Sequence, residues 1–175
     1  MTAKRAQKER TEAERFRAEL RELAVRLALI GAATWLLLTQ VFLITTVKGQ
    51  DMFPALKDGD LVIAFRLQRV YAKGDVVVCK AEDAPFIGRI AAAENDNVNL
   101  DESGVLTVNG TPQSGEILYP TYAREAMAFP FHVPEGQVFL LGDNRTQARD
   151  SRDFGPIPSD QIQAKVITIL RRRGL

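Results

Sequence analysis

Asp51, Asp143, Asp150, Ser151 and Lys80 are the residues whose types could carry bond-making chemistry. A carboxylate can attack as a nucleophile, and two carboxylates around one water can work as an acid/base pair. Asp143 or Asp150 could approach Asp51 in that way, although no spacing in the sequence requires them to meet. A hydroxyl needs a base, which for Ser151 would be Lys80. His132 and Cys79 are each the only residue of their type. They exclude a multi-ligand zinc site of the usual His/Cys kind, and the acidic residues lack the spacing of a calcium loop, so neither metal nor other cofactor is expected. A single cysteine permits no internal disulfide, and Cys79, ending Val76-Val77-Val78-Cys79, reads as a small core residue.

Two segments carry a resemblance. Gly49-Gln50-Asp51-Met52-Phe53-Pro54-Ala55-Leu56 resembles the nucleophile box of type I signal peptidases, and Gly142-Asp143-Asn144-Arg145 with Asp150-Ser151-Arg152 and Phe154-Gly155 resembles a second box of that family. In box order and spacing the resemblance covers residues 40–170. The family uses a Ser/Lys dyad, in which desolvation lowers the lysine pKa until the amine can take the serine proton. The resemblance places Asp51 at the serine and Gly88, in Ile87-Gly88-Arg89-Ile90-Ala91, at the lysine. Ala148 stands where a serine hydroxyl would orient that lysine. No catalytic residue is then intact, and Ser151 falls inside the frame of the box.

The same resemblance implies that Gly142, Asp143, Asn144, Arg145, Asp150, Ser151 and Arg152 hold the loop, through a bidentate pair of Asp150 with Arg152 or Arg145. A dry unpaired carboxylate would be costly, so Asp51 is expected either wet or paired with Arg89 or Arg145. In the family, substrate lies extended between the strands that lead into the serine and the lysine. The matching cleft candidates are Thr46, Lys48, Gly49, Gln50, Met52 and Phe53 on one side and Pro85, Phe86 and Ile87 on the other. Phe53, Phe86 and Ile87 read either as apolar cleft walls or as ordinary core or membrane-resting residues.

Aspartate for serine together with glycine for lysine resembles the noncatalytic signal-peptidase-like proteins of Gram-positive pilus assembly. The resemblance implies a binder or assembly factor at the cell membrane, with a secreted preprotein or pilin-type client, a lipid bilayer and a sortase as partners. A peptidase with altered chemistry and a scaffold with a vestigial cleft remain alternatives.

The elements that must position these residues begin with an anchor. Residues 1–26 hold eight Lys/Arg against five Asp/Glu, and the 21 residues Leu27 to Val47 carry no charge. Trp35, Leu36, Leu37 and Leu38 are consecutive, so the run is apolar all round, as a transmembrane helix is. Thr45-Thr46-Val47-Lys48 offers no small-x-small exit, which favours an uncleaved anchor. The basic flank predicts 1–26 as a cytoplasmic leader, 27–47 as the span and 48–175 as an extracytoplasmic domain. A helix-extending pair, Glu22 with Arg26, supports a helical leader.

Beyond Lys48 the pattern is mainly β. Strands are expected at Leu61–Phe65, Asp75–Cys79, Phe86–Ala93, Val98–Leu100, Val105–Val108, Val138–Leu141 and Gln161–Leu170, separated by turns such as Asn109-Gly110. Short strands at that spacing predict a signal-peptidase-like folded sheet or barrel, whereas the proline-rich stretch 110–135 reads as irregular loop. The tail Arg171-Arg172-Arg173 lacks interleaved aromatics, so no nucleic acid is expected.

Overall fold

The computed structural model describes residues 2–81, 84–113 and 118–171. Arg172 and Arg173 of the basic tail, and part of the proline-rich stretch, lie outside the described residues. Two compact units divide the chain, residues 1–40 and 41–175.

The first unit consists of helix α1, Thr2–Val41. From Glu14 to Val41 it is long and apolar enough to cross a membrane, and Trp35 is 73% exposed. The expected leader pair forms, with Arg26 Nη2 2.5 Å from Glu22 Oε1. The helix predicted through Val47 instead stops at Val41, and Phe42–Thr46 is strand β1. Aromatic and β-branched side chains favour the pleated state here. A complete antiparallel partner is also available, since β1 pairs with β2 (Leu61–Phe65) from Phe42↔Phe65 to Thr46↔Leu61. Val47 is 3% exposed and belongs to the core of the second unit.

That second unit is mainly β. After β2 come β3 (Val76–Ala81), β4 (Ala84–Ala92), β5 (Asn97–Leu100), β6 (Leu106–Val108) and β7 (Thr111–Pro112). These are followed by β8 (Phe131–His132), β9 (Gln137–Leu141), the one-turn helix α2 (Ser151–Phe154), β10 (Ile157–Pro158) and β11 (Ile162–Leu170). The larger sheet is antiparallel in the order β1-β2-β11-β3-β4-β9-β10, and the smaller runs β7-β6-β5-β8. Strands β7 and β8 correct the reading of 110–135 as wholly irregular. Both are two-residue segments recruited by β6 and β5 across the Asn109-Gly110 turn and by the Asn97↔His132 register.

Four strands separate β1 from β9 in the larger sheet, yet the segments that follow these two strands meet. The Asn144 amide donates to the Asp51 carbonyl at 2.9 Å. The sheet is therefore curled, which brings the two sequence boxes together. One cluster under it joins Val47, Met52, Leu56 and Val62, and another joins Val77, Cys79, Ile90 and Leu140. The smaller sheet packs its own face onto Phe139, with Phe129 and Phe131 against that ring.

Candidate functional site

The second box forms a brace around a buried ion pair. Arg152 is 1% exposed and Asp150 0%. Arg152 donates from Nε to Asp150 Oδ1 at 2.9 Å and from Nη2 to Oδ2 at 2.8 Å, the bidentate pair expected from sequence. Asp150 also caps α2 by accepting from the Arg152 amide, and it accepts from the Gly142 amide at 3.2 Å. Arg152 reaches onward to the carbonyls of Arg145 and Tyr122, and the Ser151 hydroxyl accepts from the Leu140 amide at 3.0 Å. Ser151 is thus a strut between α2 and β9. With 0% exposure it has no route to a substrate.

This brace holds Asp51. A Cβ built at Gly142 would lie 2.2 Å from the Ala148 Cβ and 2.5 Å from the Asp51 carbonyl oxygen, so only glycine lets these three segments close up. Asn144 ties the other side, donating from its side chain to the Gln50 carbonyl at 3.2 Å. Strand β4 approaches through its ladder with β9. Arg89 pairs with Leu141, and Gly88 stands one residue before that first rung. The fold therefore gathers positions 51, 142 and 148 into one place.

What it gathers is not a dyad. The Asp51 carboxyl is half-buried, and burial, followed by repulsion from Asp150, raises its pKa above the ordinary carboxylate value. The Arg149 backbone N–H and the Arg124 guanidinium oppose that rise. The expected pairing with Arg89 or Arg145 does not form. Arg89 is bidentate to Asp143, at 2.7 and 2.6 Å, and Arg145 donates to Thr121 Oγ1 and Gln113 Oε1. Arg124 is a cation whose charge acts on Asp51. It bridges Asp153 and donates to the Ala148 carbonyl at 2.7 Å. It sits in the proline-rich stretch and has no neighbouring motif, so sequence offered no signal for it.

Gly88 holds the second departure. A Cβ there would meet Phe86 Cε1 at 2.4 Å and Cζ at 2.9 Å. Phe86 and Gly88 share a face of β4, and the ring has folded over the glycine to pack edge-on against Phe154, with centroids 5.5 Å apart. The space of the missing side chain is filled by an aromatic ring.

An aspartic dyad is not assembled either. Asp150 approaches Asp51 closely enough to raise its pKa, but both Asp150 oxygens are taken by Arg152, the α2 cap and Gly142. The pair therefore cannot share a water between free oxygens.

The cleft candidates divide. Thr46, Lys48, Gly49 and Gln50 are exposed, and Phe53 with Gln50 lines a cavity of about 380 Å³. Met52, at 2% exposure, is core instead. Ile87 packs against that same core and Phe86 against the cluster of Val77 and Ile90, so neither is a free wall. Alternation explains this, because both faces of β4 are covered. The strand edges are a different matter. β1 is the outermost strand of its sheet, and β4 pairs only with β3 over Ala84 to Gly88, with β9 joining at Arg89. Among the described residues no cluster of His, Cys, Asp and Glu could hold a metal ion.

The family profile described as signal peptidase, peptidase S26, matches residues 20–170. Probable thylakoidal processing peptidase 2, chloroplastic, of Arabidopsis thaliana is 35% identical over 130 residues, which are 67% of this chain and 35% of that protein. Thylakoidal processing peptidase 1 of the same plant is 31% identical over 40% of its own length. The chain thus spans well under half of these two relatives. Signal peptidase IB of Staphylococcus aureus is 33% identical over 148 residues, 71% of this chain and 76% of its own. A crystal structure of a signal peptidase I from Enterococcus faecalis V583 is similar with 24% identity and a TM-score of 0.48, covering 57% of this chain and 97% of that one.

Proposed function

The chain belongs to the signal peptidase family, peptidase S26, and from that premise we propose that it binds secreted or pilin-type chains without cleaving them. It is a signal peptidase I homologue anchored in a membrane by its N-terminal helix. The observation that carries the proposal is the base position. Gly88 supplies no amine, and the Phe86 ring lies where the Cβ of any larger residue would stand. Asp51 is an acceptor with a raised pKa, not a hydroxyl.

Binding is supported by what the fold leaves open. Among the described residues, the outer edge of β1 and the β4 edge from Ala84 to Gly88 are unpaired strand edges. An extended client segment laid between them would gain backbone hydrogen bonds from both sides. Gln50 and Phe53, a few residues beyond β1, line a cavity of about 380 Å³. The client's presentation follows from the anchor, since a membrane-bound protein meets secreted chains at the membrane surface, with the leader in the cytoplasm and the β domain outside. A sortase-linked pilin is the client that the substitution pattern resembles.

A photocrosslinker at position 50 is expected to capture a membrane-bound client, whereas one at Ser103, exposed in the turn between β5 and β6, is not. Equal capture at both positions would favour a scaffold whose cleft is vestigial.

A further inference from the structure

Pro54 and Ala55, just beyond Asp51, and Arg89 and Ala91 of β4 line a cavity of about 620 Å³. Asp143 and Arg145 turn into it from the loop whose Asn144 grips Gln50. The lining is cationic in excess, with Lys73, Arg89, Arg145 and Arg171 against the single carboxylate Asp143. Lys73 is matched by Asp96 at 3.2 Å and Arg89 by Asp143. Arg145 and Arg171 have no carboxylate partner among the described residues. Arg145 is 1% exposed, donates only to the neutral acceptors Thr121 and Gln113, and keeps its Nε without a hydrogen-bond partner. Ala91, Val108 and Pro112 form an apolar wall.

The geometry points to this cavity as a binding site for a small amphipathic anion, a carboxylate or phosphate on an apolar or uncharged body. Its volume suits a ligand of that size. A low-dielectric pocket lined by one sign of charge concentrates the opposite sign. Burial pulls the Arg145 pKa down to about 10, so its charged form is under-compensated. An anion beside it would restore that compensation. The site does not depend on whether Asp51 is catalytic. Because Arg145 and Asn144 are adjacent, occupancy would also steady the loop that braces Asp51.

The test is isothermal titration of the full-length protein in neutral detergent micelles with inorganic phosphate, succinate and dihexanoyl phosphatidylglycerol. Dihexanoyl phosphatidylcholine serves as the zwitterionic control. Two variants keep the fold, because their positions are exposed. K73A/R171A removes rim charge, and T111W fills the cavity from β7. Saturable binding of phosphate or succinate, weakened at least tenfold by K73A/R171A and abolished by T111W, would support a soluble anion. The same dependence for phosphatidylglycerol alone would support a lipid headgroup as the source. No saturable binding with any anionic probe, binding that either variant leaves unchanged, or equal binding of phosphatidylcholine would overturn the assignment.

Discussion

Gly88→Lys puts the ring-covered position on β4 under direct strain. A Cβ at residue 88 would stand 2.4 Å from the Phe86 ring, so the ring must swing out before a lysine can enter. Its edge-on contact with Phe154 is worth about 0.5–1.5 kcal/mol. Returning half of a phenyl side chain to water costs about 1 kcal/mol more. Together these costs reach about 2 kcal/mol, against a typical domain stability of about 5–15 kcal/mol. Urea unfolding of the full-length protein in micelles, followed by loss of the β-sheet circular dichroism signal, reads the change. Phe86→Ala is itself destabilising, but it is expected to cost about 2 kcal/mol less beside Gly88→Lys than alone, because the ring has already been displaced. Additivity of the two changes within about 0.5 kcal/mol, or a Gly88→Lys protein within about 1 kcal/mol of native, would refute the ring-filled position.

Asp51→Asn is expected to stabilise the protein at neutral pH. A carboxyl whose folded pKa is raised binds more protons folded than unfolded, so native stability falls as pH rises from the ordinary carboxylate range through the raised value, and the variant should lose that slope. An unchanged slope would place the Asp51 carboxylate in open water. Asp150→Ala strands the buried Arg152 charge and should cost about 3–5 kcal/mol, measured by the same urea titration. A loss under 1 kcal/mol would show the brace to be dispensable. Cys79 is fully buried with its thiol pushed up to about 12, so iodoacetamide should label it only after unfolding. Rapid labelling of the native protein would contradict the packing of β3.

Much of the β domain is legible because its larger strands carry their own apolar runs and are separated by glycine turns, as at Leu61–Phe65 and Gln137–Leu141. β7 and β8 are not legible, since two residues carry no periodicity and only a neighbouring strand makes them extended. The end of α1 was misplaced for a related reason. Residues 42–46 are as apolar as the helix before them, and what separates the two is the partner strand β2, a tertiary fact. At the site, the motifs foretold the Asp150–Arg152 pair and the meeting of the two boxes at Asp51 and Ala148. They did not foretell that Phe86 folds over Gly88, that Arg89 is committed to Asp143, or that the Arg124 charge acts on Asp51. Each of these depends on where long side chains turn after the backbone has been placed.

The proposed absence of cleavage is tested most directly by incubating the purified full-length protein with a model preprotein and sequencing the product N-termini. No cleavage is expected from the native chain or from Asp51→Ser alone, because neither variant brings an amine to residue 88 to take the proton of a hydroxyl. Cleavage by the native protein that Asp51→Ala abolishes would contradict the account and establish a carboxylate mechanism in its place.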